Sequence, residues 1–135
     1  MEHSPTRLGF HVQLKTDFAA AGARVTAALK AEGFGVLTEI DVQATLKQKL
    51  GADFRQYKIL GACNPPLAHQ ALSLEREAGL LLPCNVVVDE VAPGVIEVGL
   101  ADPLVMLSVA ARPQLEPVAQ AARERLERVA QALEA

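Results

Sequence analysis

Each of the two cysteines in this chain is followed by asparagine and has a proline within two residues, in Ala62-Cys63-Asn64-Pro65 and Pro83-Cys84-Asn85. Asparagine tolerates unusual backbone angles and caps helices, proline fixes φ and removes a donor, and cysteine supplies a soft sulfur. Each segment therefore reads as a shaped junction between a strand and a loop. Cys63 stands just before the cap of a predicted helix, where unpaired N–H groups and the helix dipole favour a thiolate. Two roles are open to it: a reactive or ligand-contacting thiol, or a small side chain filling a crowded corner. The same pair of roles is open to Cys84.

Other candidates are fewer and more scattered. Glu39 and Asp41 lie two apart and would share one face of a strand, where paired carboxylates can divide acid and base roles. The alternative is a helix cap from Asp41 and an ion-paired Glu39, with Lys47, Arg55 or Lys58 as partners. Tyr57, the only tyrosine, could present its hydroxyl to a cleft or occupy an ordinary half-buried sheet position. His69 follows Cys63 by six residues but shares a helix face with Gln70 and Glu77, so no metal site is expected. Glycine-rich phosphate loops, Gly-x-Ser-x-Gly elbows and His-Glu-x-x-His pairs do not occur in the sequence, which disfavours standard nucleotide enzymes and hydrolases.

The elements that must position these residues follow from periodicity. Leu8, Phe10, Val12 and Leu14 alternate with Gly9, His11, Gln13 and Lys15, giving a strand over Arg7 to Lys15. Thr16 is the expected cap of a helix through Phe18, Val25 and Leu29, with Gly33 as its stop. A strand over Gly35 to Ile40 leads into a helix from Val42 to Leu50, capped by Asp41 and ended by Gly51. Arg55 to Ala62 is a third strand. Asn64 caps a helix with Pro65 at its first position and Gly79 as its stop. Asn85 to Val91 and Val95 to Ala101 flank Ala92-Pro93-Gly94 as a hairpin. Asp102-Pro103 opens a short helix through Val109, and the last helix runs from Pro113 to Leu133 with Leu115, Val118, Ala122, Leu126 and Val129 on one face.

This order predicts one α+β domain over residues 1–135, a two-layer sandwich with a mixed sheet of about five strands and helices mainly on one face. Strand-helix-strand units normally run parallel. On that geometry Cys63 and Cys84 would lie at opposite strand ends, about 10 to 20 Å apart against the ~4.4 to 6.8 Å between Cα atoms that a disulfide needs. No bridge is expected, unless Leu80 to Pro83 carries the chain forward before Cys84.

A net charge of -3, with 13 basic and 16 acidic residues interspersed, offers no basic stripe, and four Phe, one Tyr and no Trp give few stacking surfaces. Composition thus disfavours nucleic acid as a partner. Apolar runs such as Leu80 to Cys84 are far too short to cross a membrane, so none is expected as a partner. Met1 to Arg7 lacks the apolar stretch of a secretory signal, which predicts a cytoplasmic protein with reduced thiols. Half the residues are apolar, an excess that a second copy of the chain could cover.

Gly35-Val36-Leu37-Thr38-Glu39-Ile40-Asp41-Val42, Leu60-Gly61-Ala62-Cys63-Asn64-Pro65 and Leu82-Pro83-Cys84-Asn85-Val86-Val87-Val88 together resemble the bacterial and archaeal family called domain of unknown function 302. The resemblance extends from about Phe10 to Asp102-Pro103. It implies a small α+β domain and carries no reaction, ligand, cofactor or catalytic residue. From the residues themselves, the preferred reading is a non-catalytic, homodimeric small-molecule-binding domain. Its candidate site comprises Cys63, Asn64, Cys84 and Asn85 around one cleft, with Glu39 and Tyr57. The rival reading is a thiol-dependent redox or metal-handling protein using Cys63 and Cys84.

Overall fold

In the computed structural model, which describes residues 4–134, the alternation of the first long strand becomes a buried face: Phe10, Val12 and Leu14 are buried while Gln13 and Lys15 are exposed. The chain order is β1 (Ser4–Pro5), β2 (Gly9–Lys15), α1 (Phe18–Ala31), β3 (Gly35–Asp41), α2 (Val42–Leu50), β4 (Tyr57–Cys63), α3 (Pro65–Leu74), a 3₁₀ turn (Arg76–Leu80), β5 (Cys84–Ala92), β6 (Val95–Ala101), α4 (Pro103–Ser108), a second 3₁₀ turn (Pro113–Leu115) and α5 (Glu116–Glu134). Five long strands and the two-residue β1 form one sheet in the order β1-β2-β6-β5-β4-β3. Helices α1 and α5 cover one face of it, producing the α+β sandwich.

Every pairing in the sheet is antiparallel, so the expectation of a mixed sheet is corrected. The crossovers assumed to be parallel are elaborated hairpins. Between β4 and β5 the chain runs out along α3 and back through the 3₁₀ turn, re-entering the sheet at the end it left, with Ala62 opposite Cys84. Between β3 and β4, α2 and residues 51–56 do the same, placing Lys58 opposite Asp41.

Two helix boundaries also differ from the pattern. The cap of α1 is Asp17, whose carboxylate accepts from Ala20 N at 2.7 Å, because Thr16 N is still held to the hairpin by Gly94 O at 3.0 Å. Helix α3 stops at Leu74 instead of continuing to Gly79: Glu75 turns extended (φ -148°, ψ 107°) and its carboxylate caps the 3₁₀ turn through Glu77 N at 2.9 Å. Gly33, Gly51 and Gly94 take the positive φ values expected of stops and a turn.

The core lies between the sheet and the two long helices. Val25 and Leu29 of α1 and Leu126, Val129 and Leu133 of α5 meet Val86, Val88, Ile96, Val98 and Leu100. Arginines stitch the helices together at the rim, Arg24 donating to Leu133 O at 3.1 Å and Arg125 to Glu32 O at 3.2 Å. A smaller cluster of Ala71, Ala78, Leu115 and Val118 anchors α3 and its 3₁₀ turn to α5.

Gly61, in the middle of β4, is fixed by crowding. A Cβ there would fall 2.3 Å from Thr38 Oγ1 and 2.9 Å from Pro83 Cγ, so the Thr38 and Pro83 side chains close over the position. Substituting Gly61→Ala should destabilise the fold by ~1 to 3 kcal/mol in urea titration, and the double variant Gly61→Ala with Thr38→Ala should recover part of that loss. An unchanged midpoint in the single variant would show that the corner yields freely.

Candidate functional site

Asn64 is the only buried polar residue found among the described residues. It leaves β4 in an extended conformation (φ -103°, ψ 103°), and its Oδ1 accepts from Leu67 N at 3.3 Å, with Pro65 and Pro66 filling the first helical positions. Proline is favoured there because those N–H groups would lack partners. The cap was legible in the sequence, and it turns the end of β4 downward beside the start of β5.

That junction borders a cavity of about 270 Å³ at one end of the sheet. Cys63, Asn64 and Cys84 all line it, brought together by the antiparallel β4–β5 pair. The rest of the lining is apolar, including Phe34, Leu67, Leu72, Leu82 and Met106. The separation assumed for the cysteines is therefore overturned: they share one sheet end, and both are free, half-buried thiols. In the β4–β5 register Ala62, not Cys63, stands directly across from Cys84, and Cys63, the next residue of the pleated strand, points to the other face from Ala62.

Burial pushes the Cys84 thiol up from 9.0 to about 11, and the nearby Cys63 adds to the rise. The apolar surroundings disfavour the thiolate, as they do for any desolvated acid. Among the described residues no group of three or more His, Cys, Asp or Glu could hold a metal ion.

The remaining candidates sit elsewhere. Asn85 pairs with Gly61 but is exposed on the open face of the sheet, the opposite side from the cavity, so the single cleft shared by Cys63 and Asn85 is not formed. There Asn85 and Tyr57 line a depression of about 350 Å³ with His11, Asp89 and Glu97. Arg55 lies 5.6 Å over the Tyr57 ring and forms a two-pronged pair with Asp89 at 2.7 and 3.2 Å. Glu39 is ion-paired with Lys58 at 2.6 Å, which raises the Lys58 pKa, and Asp41 caps α2 through Ala44 N at 2.9 Å. Both carboxylates thus take the structural alternative. His69 is exposed on α3.

Sequence reasoning missed the apolar lining. Leu81 and Leu82 were visible only as part of a short apolar run, and Phe34 and Met106 carried no signal, because their approach depends on how the α1–β3 connection, α4 and the 3₁₀ turn fold over the sheet end.

An antiparallel α+β sandwich with an apolar cavity at a Cys-Asn corner defines a class of small domain. The family model for domain of unknown function DUF302 matches residues 10–133, and the chain belongs to that family. It is similar to the crystal structure of an uncharacterized conserved protein DUF302 from Bacillus stearothermophilus, with a TM-score of 0.85 and 30% identity over 94% of this chain and 98% of that one. No curated protein matches the sequence. No helix among the described residues is long and apolar enough to cross a membrane.

Two outcomes test this corner. Asn64→Ala should cost ~0.5 to 2 kcal/mol of stability, measured by denaturant unfolding, through loss of the cap. For Cys84, the folded state holds its proton more tightly than the unfolded chain, so its contribution is complete below pH 9 and declines as pH rises toward about 11. The loss should be on the order of 2 to 3 kcal/mol. Comparing stability at pH 8 and pH 11 for the wild type and Cys84→Ala isolates this: the wild type should fall more steeply, and parallel curves would mean that Cys84 is not desolvated.

Proposed function

We propose that this chain is a non-catalytic, homodimeric domain that binds a small, mainly apolar molecule in the cavity bordered by Cys63, Asn64 and Cys84. One observation carries the reading: an apolar cavity whose lining side chains include one asparagine amide and two thiols, converging from one strand pair. Sites for small molecules are commonly apolar concavities with a few placed polar groups that set orientation. The Asn64 side chain is the natural orienting group, since its Oδ1 is committed to the helix cap and its amide N–H₂ remains a donor. The raised Cys84 pKa weighs against thiolate chemistry, the rival role. The chain is read as a single cytoplasmic domain, and Asn85, Glu39 and Tyr57 fall outside the proposed site.

Titration with the apolar fluorophore 1-anilinonaphthalene-8-sulfonate tests the reading. Saturable one-site binding is expected, weakened at least about tenfold by Ala68→Trp, which fills the cavity, and unaffected by Tyr57→Phe on the other face. Equal binding by wild type and Ala68→Trp would remove the cavity from the proposal. A fast-reacting Cys84 at pH 7 would instead favour the thiol role.

A further inference from the structure

Among the described residues, no charged side chain lines the cavity bordered by Cys63, Asn64 and Cys84. Cys84, its pKa raised by burial to about 11, is neutral there as well. Three charged residues on flanking segments are engaged outside the cavity: Arg125 donates to Glu32 O at 3.2 Å, Asp102 is held by Arg123 at 3.2 Å, and Glu75 by Arg112 at 3.6 Å. An ion that entered this lining would leave its water and meet no countercharge, a loss that apolar contact does not offset.

Within the neutral lining one polar side chain lacks part of its hydrogen bonding. Asn64 is only 7% exposed, and its Oδ1 is taken by Leu67 N at 3.3 Å. Its Nδ2 meets no acceptor among the described residues, yet the atom keeps open surface. Gly33 helps to leave it uncovered, since a Cβ at that glycine would stand 3.0 Å from the nitrogen. A donor placed this deep is unfavourable until an acceptor reaches it. Among the lining side chains it is also the one strong donor, because the remainder are hydrocarbon, two thiols and the Met106 thioether, and sulfur is a weak hydrogen-bonding partner.

We propose that the ligand of this cavity is uncharged where it enters and carries a hydrogen-bond acceptor, such as a carbonyl oxygen, to which Asn64 Nδ2 donates. This names the ligand class of the cavity reading above and rests on it. A charged end of a larger ligand can stay in water at the mouth, where Leu37 and Leu72 are exposed. The cavity, at about 270 Å³, is larger than the ~150 Å³ that holds a benzene molecule, so a ring with a short chain fits.

Isothermal titration calorimetry of the full chain with butyrophenone, and with butylbenzene, which has a methylene where the ketone has its carbonyl, tests the inference. Asn64→Ser and, independently, Asn64→Thr keep a capping oxygen and remove the amide. Each should weaken butyrophenone about fivefold or more and leave butylbenzene within about twofold of wild type, with unchanged circular dichroism. Phenylpropionate and phenylpropylammonium, of similar size, should bind the wild type at least about tenfold more weakly than the ketone. Equal losses for ketone and hydrocarbon, or no loss for either, overturn Asn64 as the donor. A charged analogue that matches the ketone overturns the neutral class. Both of those results leave the cavity reading standing, provided that Ala68→Trp abolishes binding of butyrophenone and butylbenzene alike. If Ala68→Trp binds both as the wild type does, or if neither compound binds the wild type, the cavity reading falls and this inference falls with it.

Discussion

The antiparallel pairing of β4 with β5 is the constraint on which the rest of this structure depends. Ala62 opposite Cys84 means that the chain must leave and re-enter the sheet at the same end within the span of α3 and one 3₁₀ turn. That return places both Cys-Asn corners together, lowers α3 and the Leu81-Leu82 segment over the sheet end, and leaves a cavity between them instead of a filled core. Had the crossover been parallel, Cys84 would have started at the far end of β4 and no such cavity could form between these two corners.

Within that corner, polarity is rationed by burial. Asn64 is tolerated because its Oδ1 is satisfied by the helix start; a buried amide without partners costs a few kcal/mol. The thiols need no such partner, since free cysteine behaves as a small hydrophobe. Desolvation then does to Cys84 what it does to any acid, holding it protonated. The Cys-Asn pairing thus sets a polar amide and soft sulfur surface in the same turn of chain.

Much of the fold was legible because local signals and tertiary demands agreed. The period of two in β2, the Asn64 and Asp41 caps, the Gly33 and Gly51 stops and the Pro93-Gly94 turn are all decided within a few residues. Strand direction was not legible, because it depends on whether the connection crosses the sheet or doubles back, and a helix between two strands allows either. The placement of the candidate residues was legible in part for the same reason. Cys63, Asn64 and Cys84 converge, but Asn85 is one residue beyond Cys84 on a pleated strand and must face the other way. Glu39 and Asp41 were correctly open to an ion-pair and cap reading, which needed only near neighbours to decide. The cavity walls from α4 and the 3₁₀ turn could not be read, since they are set by packing over long separations.

The helical layer over the sheet is two helices wide. Five strands spaced ~4.8 Å apart span about 19 Å between the outer axes, close to the ~20 Å that two helices lying side by side cover. α5 is set over the β2 side and α1, packed against it, reaches β3, which leaves no helix to bury the residues from Gly35 to Ile59. The sheet cannot be narrowed without losing β4, whose end carries the Cys63-Asn64 corner, and a third covering helix is absent because α3 and α4 are drawn to the end of the sheet with α5. Closing the cavity end of the sandwich and leaving the β3 side uncovered are therefore two consequences of the same allocation of helices. β3 protects its own free edge only partly, through the register shift between Val36 and Thr38 and the charge of Glu39, and its apolar Leu37 and Ile40 stay in water.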